Sequence, residues 1–253
     1  MYELFDITGK KAIVTGGTRG LGYSMAEALA EAGCEVVIIG SSDRVFQSAE
    51  AMCRRGLACK GVKADLRVRE ETYQAFAEST AALNGDVDIL VNAAGIQRRH
   101  PAEQFPLEEW DEVLNINLHC VFILCQEAGK LMLQKGHGKI INVASMCSWF
   151  GGQTVPAYAA AKGGVTQLTK ALSNDWAGRG INVNAIAPGY MATDLNTALL
   201  ADSARRDQIS ARIPAGRWGT GEDMKGITVF LASRASDYLC GAVIPVDGGY
   251  LVK

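Results

Sequence analysis

The chain has 253 residues, 48% of them hydrophobic and 21% charged, with a formal net charge of -2. α/β folds often run to this length as one unit, so a single domain (1–253) with one large core under a mixed surface is expected, and disorder is excluded. No Lys/Arg block or basic stripe occurs and the pI is about 6.0, which argues against nucleic acid or an anionic membrane as the main partner and leaves a small molecule.

Seven cysteines (Cys34, Cys53, Cys59, Cys120, Cys125, Cys147, Cys240) are odd in number and form no CxxC pair. Most sit in apolar stretches and read as reduced thiols of a cytoplasmic protein. No charged-then-apolar leader opens the sequence, and no segment reaches the roughly 18 apolar residues of a membrane span. None of His100, His119 and His137 stands at ligand spacing from another or from a cysteine, so no metal is expected.

In chain order, short β-branched runs at 11–15, 36–39, 58–62, 87–91, 139–143, 181–187 and 242–246 predict seven strands. Helical periodicity fills the intervals, notably at 21–32, 70–83, 107–134, 157–177 and 222–232. This alternation predicts a Rossmann-like, doubly wound parallel sheet with helices on both faces and ligands at the C-terminal strand edge. The irregular stretch 190–219 is polar, contains arginines and is flanked by Pro and Gly. It is expected to be a lid over that edge.

Strand one runs into Gly16, Thr18, Arg19, Gly20, Leu21 and Gly22, a G-x-x-x-G-x-G turn opening a helix. Glycines there let backbone N–H groups approach a pyrophosphate that the helix N-terminus stabilises. Strand two would normally end in an acid for the adenosine ribose, but Gly40 stands there. Arg19 and Arg44, with Ser41 and Ser42, would meet the 2′-phosphate of NADP; alternatively Asp43 serves the ribose of NAD, and both remain open. Further on, Pro156 suits a helix start and places Tyr158 and Lys162 at i,i+4 on one face. The lysine charge is expected to favour the phenolate, making Tyr158 a proton shuttle.

The 15–22 turn, Asp65-Leu66, Asn92-Ala93-Ala94-Gly95, Asn117, Ser145, Tyr158/Lys162 and Pro188-Gly189 occur in the order and spacing of the short-chain dehydrogenase/reductase family, which the whole chain resembles. The resemblance implies that Ser145 binds the substrate oxygen and Tyr158 transfers its proton. It implies that Lys162 also holds the nicotinamide ribose, and that Asn117 bends the long helix and seats a relay water. It places Asp65 at the adenine and Asn92 on the adenine-ribose side, with Leu66, Ala93 and Gly95 also among the cofactor-binding residues. Thr193 holds the carboxamide with Pro188 and Gly189, or else only caps a helix. It also implies a homotetramer, which surplus apolar surface on the helices (Val121, Phe122, Ile123, Leu124; Leu168, Leu172, Trp176) would serve.

Within that family the runs 95–99, 184–193 and 212–219 are similar to those of the gluconate and deoxygluconate dehydrogenases. Arg98, Arg99 and Arg217 are the candidates for a substrate carboxylate, although at least two of them also read as ordinary surface or subunit-contact arginines. Ser145, Trp149 and Gln153 complete the expected substrate contacts. The loop departs from that group at Thr154, where an arginine is common, and Trp149-Phe150 adds apolar bulk. Two alternatives follow: a 3-oxoacyl-thioester reductase, and a non-catalytic NAD(P)-binding interaction protein, which the intact Asn117/Ser145/Tyr158/Lys162 set disfavours.

Overall fold

The computed structural model describes residues 3–253. Seven strands form one parallel sheet: β1 (Lys11–Thr15), β2 (Glu35–Gly40), β3 (Cys59–Lys63), β4 (Ile89–Asn92), β5 (Gly138–Val143), β6 (Ile181–Pro188) and β7 (Val243–Val246). Their spatial order is β3-β2-β1-β4-β5-β6-β7, so the order reverses between β1 and β4. The two halves wind outward from that point, and a crevice opens there at the C-terminal strand ends.

The inner strands β1, β2, β4, β5 and β6 bury both faces, which is why they read as continuous apolar runs rather than alternating ones. Ala12, Val14, Val36 and Ile38 face a core closed by α1 (Gly20–Glu31), α2 (Arg44–Cys53) and α9 (Glu222–Ala232). Their neighbours Ile13, Val37 and Ile39 face the opposite core, closed by α3 (Arg69–Ala82), α5 (Cys120–Lys135) and α6 (Pro156–Trp176). Helix α2 is missing from the elements predicted above. Val45, Ala49 and Met52 are its buried apolar positions, a sparse stripe on a polar segment, and Ser48 Oγ ties it to the first turn by donating to Thr18 O at 3.0 Å.

The helix predicted over 107–134 is in fact interrupted. It divides into α4 (Leu107–Leu114), a π-helical turn (Asn115–His119) and α5. The cause is Asn117, whose Nδ2 donates to Val113 O, four residues back, at 2.9 Å. The 107–135 run is, by length and hydropathy, apolar enough to cross a membrane, contrary to the expectation that no segment is. Half of its most apolar window is buried against the rest of the chain, as in a core helix. The apolar surplus is likewise largely spent inside the chain: Val121, Ile123, Leu124 and Leu172 are buried, and Trp176 packs against Gly129. Phe122 stays 44% exposed.

The 190–219 stretch leaves the sheet at the end of β6 and returns beside its origin, where Gly219 N–H donates to Tyr190 O (3.0 Å) and Ala192 N–H to Gly219 O (2.8 Å). Between these ends lie the short helix α7 (Thr197–Ala201) and α8 (Ser203–Ser210). Asp202 caps α8, accepting from Arg205 N–H at 3.0 Å. Met146, Ile209, Ile213 and Tyr250 form a satellite core beneath it, with Phe150, Tyr190 and Trp218 packed alongside.

Candidate active site

The crevice is a cleft of about 820 Å³ running from the glycine turn to the start of α6. Gly16, Thr18, Arg19, Gly20, Leu21, Gly22, Ser41, Asp65, Leu66, Ala93, Gly95, Pro188, Gly189 and Thr193 all line it, as do Asn117, Ser145, Tyr158 and Lys162. Ser42 is not among the lining residues. Neither is Asn92, which is buried beneath the floor and donates to Asn142 Oδ1 at 2.9 Å.

The first turn is built for close backbone approach. A Cβ on Gly22 would stand 2.4 Å from Gly16 O, so no other residue fits without moving the turn. Thr15 Oγ1 accepts from Ala93 N–H (3.1 Å) and Ala94 N–H (3.0 Å), locking the ends of β1 and β4 side by side. Such a groove, with the N-terminus of α1 facing it, suits a dinucleotide pyrophosphate. At the end of β2, Gly40 packs directly under Thr18, and Asp43 is engaged by Lys63 at 2.8 Å. Arg19 and Arg44 flank a smaller recess beside the turn, where Arg19 pairs with Asp194 at 2.6 Å. Asp65 is held by Arg67, at 2.6 Å. Thr193 precedes a short 3-10 turn without making a side-chain cap bond, and its methyl instead stands over Gly20.

At the other end, Ser145 Oγ accepts from Cys147 N–H at 3.2 Å and is hydrogen-bonded to Tyr158. Lys162, one helical turn after Tyr158, is only 3% exposed; its Nζ donates to Val143 O at 2.6 Å and lies 5.6 Å from the tyrosine ring centre. Asn117 spends its amide N–H groups on Ile96 O and Val113 O, both at 2.9 Å, leaving Oδ1 buried without a partner. That oxygen faces Gly95, where a Cβ would come within 2.6 Å of it. Lys162 Nζ approaches the same position, within 3.9 Å of that Cβ, and an orphaned buried acceptor beside a lysine is a place for one water or ligand hydroxyl.

The electrostatics correct one expectation. Burial pushes the Tyr158 phenol up to about 12, against the hydrogen bond from Ser145 and the charge of Arg99, and the lysine does not bring it toward neutrality. The same desolvation brings Lys162 down to about 8. Both charged forms are disfavoured because the pocket is dry on the protein side, and burial outweighs the attraction between neighbours. At neutral pH the Tyr158 hydroxyl therefore keeps its proton, and Lys162 lies closer to losing its own than an exposed lysine does.

The predicted substrate residues separate in space. Arg98, Arg99 and Gln153 line the cleft. Arg98 already faces Glu112 at 2.8 Å. Arg217 lies outside the lining and makes a two-pronged contact with Asp223 (2.6 and 2.8 Å), as a surface arginine does. Trp149 is 47% exposed and not part of the wall, whereas its neighbour Phe150 is. Cleft residues missed by sequence reasoning are Tyr190, Met191, Asp194, Asn196, Leu199, Arg205 and Ile209 from the 190–219 stretch. Arg205 is half-buried among exposed neighbours on α8, and nothing in the local sequence marks it.

Residues 16–251 match a family model described as enoyl-(acyl carrier protein) reductase. The 2-dehydro-3-deoxy-D-gluconate 5-dehydrogenase of Bacillus subtilis (strain 168) is 46% identical over 255 residues, covering 100% of this chain and 99% of that protein. A crystal structure described as a candidate NAD(P)-dependent gluconate 5-dehydrogenase from Beutenbergia cavernae, with bound NADP, superposes with a TM-score of 0.96 at 46% identity, over 99% of this chain and 100% of that one. A gluconate 5-dehydrogenase from Burkholderia cenocepacia in complex with NADP and tartrate gives 0.95 at 40% identity, over 99% and 98%. Sheet order, cleft and likeness across the full length agree, and the chain belongs to the short-chain dehydrogenase/reductase family.

Proposed function

We infer that the protein is an NADP-dependent oxidoreductase interconverting a secondary hydroxyl and a ketone on a sugar acid of the gluconate type. The observation that carries this reading is one cleft joining a dinucleotide groove to Ser145, Tyr158 and Lys162, with arginines on its far wall. Bound in the groove, the nicotinamide supplies or accepts the hydride. In the reductive direction Ser145 and Tyr158 hold the carbonyl oxygen, and the Tyr158 hydroxyl donates its proton as the oxygen becomes an alkoxide. The Lys162 ammonium then returns a proton to Tyr158 by way of a water, which the free Oδ1 of Asn117 orients by accepting one of its hydrogens.

The sugar-acid reading draws support from the relatives' substrates and from the cleft arginines, which an acyl chain would leave facing apolar groups. It is tested by following reduced-nicotinamide absorbance against a panel of sugar acids, polyols and 3-oxoacyl thioesters. Turnover only with thioesters would overturn it.

The preference for NADP rests on the absence of an acid at Gly40, the engagement of Asp43 by Lys63, and Arg19 and Arg44 beside the turn. Asp194 competes for Arg19, but the pair is 56% and 63% exposed, and such pairs are weak beside an arginine–phosphate contact. Asp194→Asn is expected to lower KM for NADP roughly two- to fivefold and leave that for NAD unchanged. Equal changes for both cofactors would show that Asp194 does not compete for the 2′-phosphate partner.

The reading extends to a homotetramer in the cytoplasm. Free thiols at all seven cysteines and the exposed Phe122 on α5 support it, and light scattering on the purified protein tests the assembly.

A further inference from the structure

We propose that Arg205 on α8 and Arg99 on the loop after β4 close on the substrate carboxylate from opposite walls, making the lid-borne Arg205 a specificity-determining residue. The proposal rests on the sugar-acid reading above and deepens it.

Five arginines line the cleft among the described residues: Arg19, Arg67, Arg98, Arg99 and Arg205. Arg19 is paired with Asp194, Arg67 with Asp65 and Glu112, and Arg98 with Glu112, all at 2.6 to 2.8 Å. Arg99 and Arg205 instead bond neutral amide oxygens, those of Gln97 (2.9 Å) and Gln208. Neither meets a carboxylate among the described residues, so both are open to an incoming anion.

Their placement is built into the fold. Helix α8 turns Arg205 and Ile209, spaced i,i+4, toward the cleft, while Arg206 stays exposed and pairs with Asp207. Across the gap, the loop carrying Arg99 is fastened at the next residue: His100 N–H donates to Thr154 O (3.0 Å), and the His100 ring bonds Glu109 (2.8 Å). Both side chains line the same cleft as Ser145 and Tyr158, and Ile209, one turn after Arg205, packs in the satellite core with Tyr190, which holds that face of α8 against the cleft. A carboxylate between them completes two charge-assisted contacts, whereas an uncharged ligand leaves both arginines partly desolvated without an anion. Because Arg205 rides on the 190–219 excursion, carboxylate binding also draws that segment onto the substrate.

The test compares wild type, Arg205→Gln, Arg205→Lys and the solvent-facing control Arg206→Gln on a sugar acid and on the matching uncharged polyol, with NADP saturating. Arg205→Gln is expected to raise KM for the sugar acid about 10- to 100-fold with a smaller change in kcat, and to leave KM for the polyol unchanged. Arg205→Lys recovers part of the loss, guanidinium ion added to Arg205→Gln lowers its KM, and Arg206→Gln behaves as wild type. An unchanged KM for the sugar acid, or an equal rise for acid and polyol, overturns the clamp while wild-type turnover keeps the sugar-acid reading standing. Failure of the wild type itself to turn over any sugar acid overturns both.

Discussion

Tyr158→Phe is expected to lower kcat by on the order of 10²- to 10⁴-fold, the usual worth of a positioned proton donor, while the dissociation constant for NADPH changes little. The half-buried ring is kept when only the hydroxyl is lost, so packing survives, and the groove around Gly16, Gly20 and Gly22 lies at the other end of the cleft. Stopped-flow turnover and NADPH fluorescence titration on the same sample separate the two quantities. Turnover within tenfold of wild type would remove Tyr158 from the proton-transfer role. The pH dependence follows from the same site. With the phenol at about 12 and the lysine at about 8 in the free enzyme, kcat/KM for carbonyl reduction is expected to stay level up to about pH 8. Above that it falls as Lys162 loses its charge.

Lys162→Met is expected to abolish turnover and at the same time raise the melting temperature of the ligand-free protein at pH 7. The lysine is 3% exposed and pairs with no carboxylate among the described residues, so burial, which penalises its charge, brings its folded-state pKa from the ordinary 10.5 down to about 8. Between those two values the unfolded chain holds a proton that the folded chain releases, so stability rises with pH through that window. Below about pH 8 the penalty is present in full. Methionine of similar length removes it, at the cost of the bond to Val143 O. The gain in melting temperature over wild type is expected to shrink as pH rises from 8 toward 10.5. A variant no more stable than wild type at pH 7 would show that the Val143 bond outweighs the buried charge. The opposite signs for activity and stability are the mark of a group retained for chemistry rather than for packing.

What the amino-acid sequence determined by itself is whatever depends on neighbours a few residues apart. β-Branched runs such as Ile13-Val14 and Val36-Val37-Ile38-Ile39 specify strands, and their alternation with helices specifies the winding of the sheet. The i,i+4 spacing puts Tyr158 and Lys162 on one face of α6, and the glycine spacing places the nucleotide turn. Tertiary structure alone decided which partner each charge meets and which side chains reach the cleft. Arg98, Arg99 and Arg217 look alike in sequence, yet Glu112 pairs with the first, Asp223 takes the third, and only Arg99 lines the cleft bonded to a neutral amide, that of Gln97. Arg205 carried no local signal, because a polar helix such as α8 shows its inward face only once Ile209 is packed against the satellite core. The wall residue is Phe150 rather than Trp149 for the same reason, since the fold of the loop sets which of two adjacent rings turns inward. Proton affinities belong to this second class as well. A lysine beside a tyrosine reads as an ion pair, but burial of both groups shifts each toward its neutral form, and burial is a property of the whole fold.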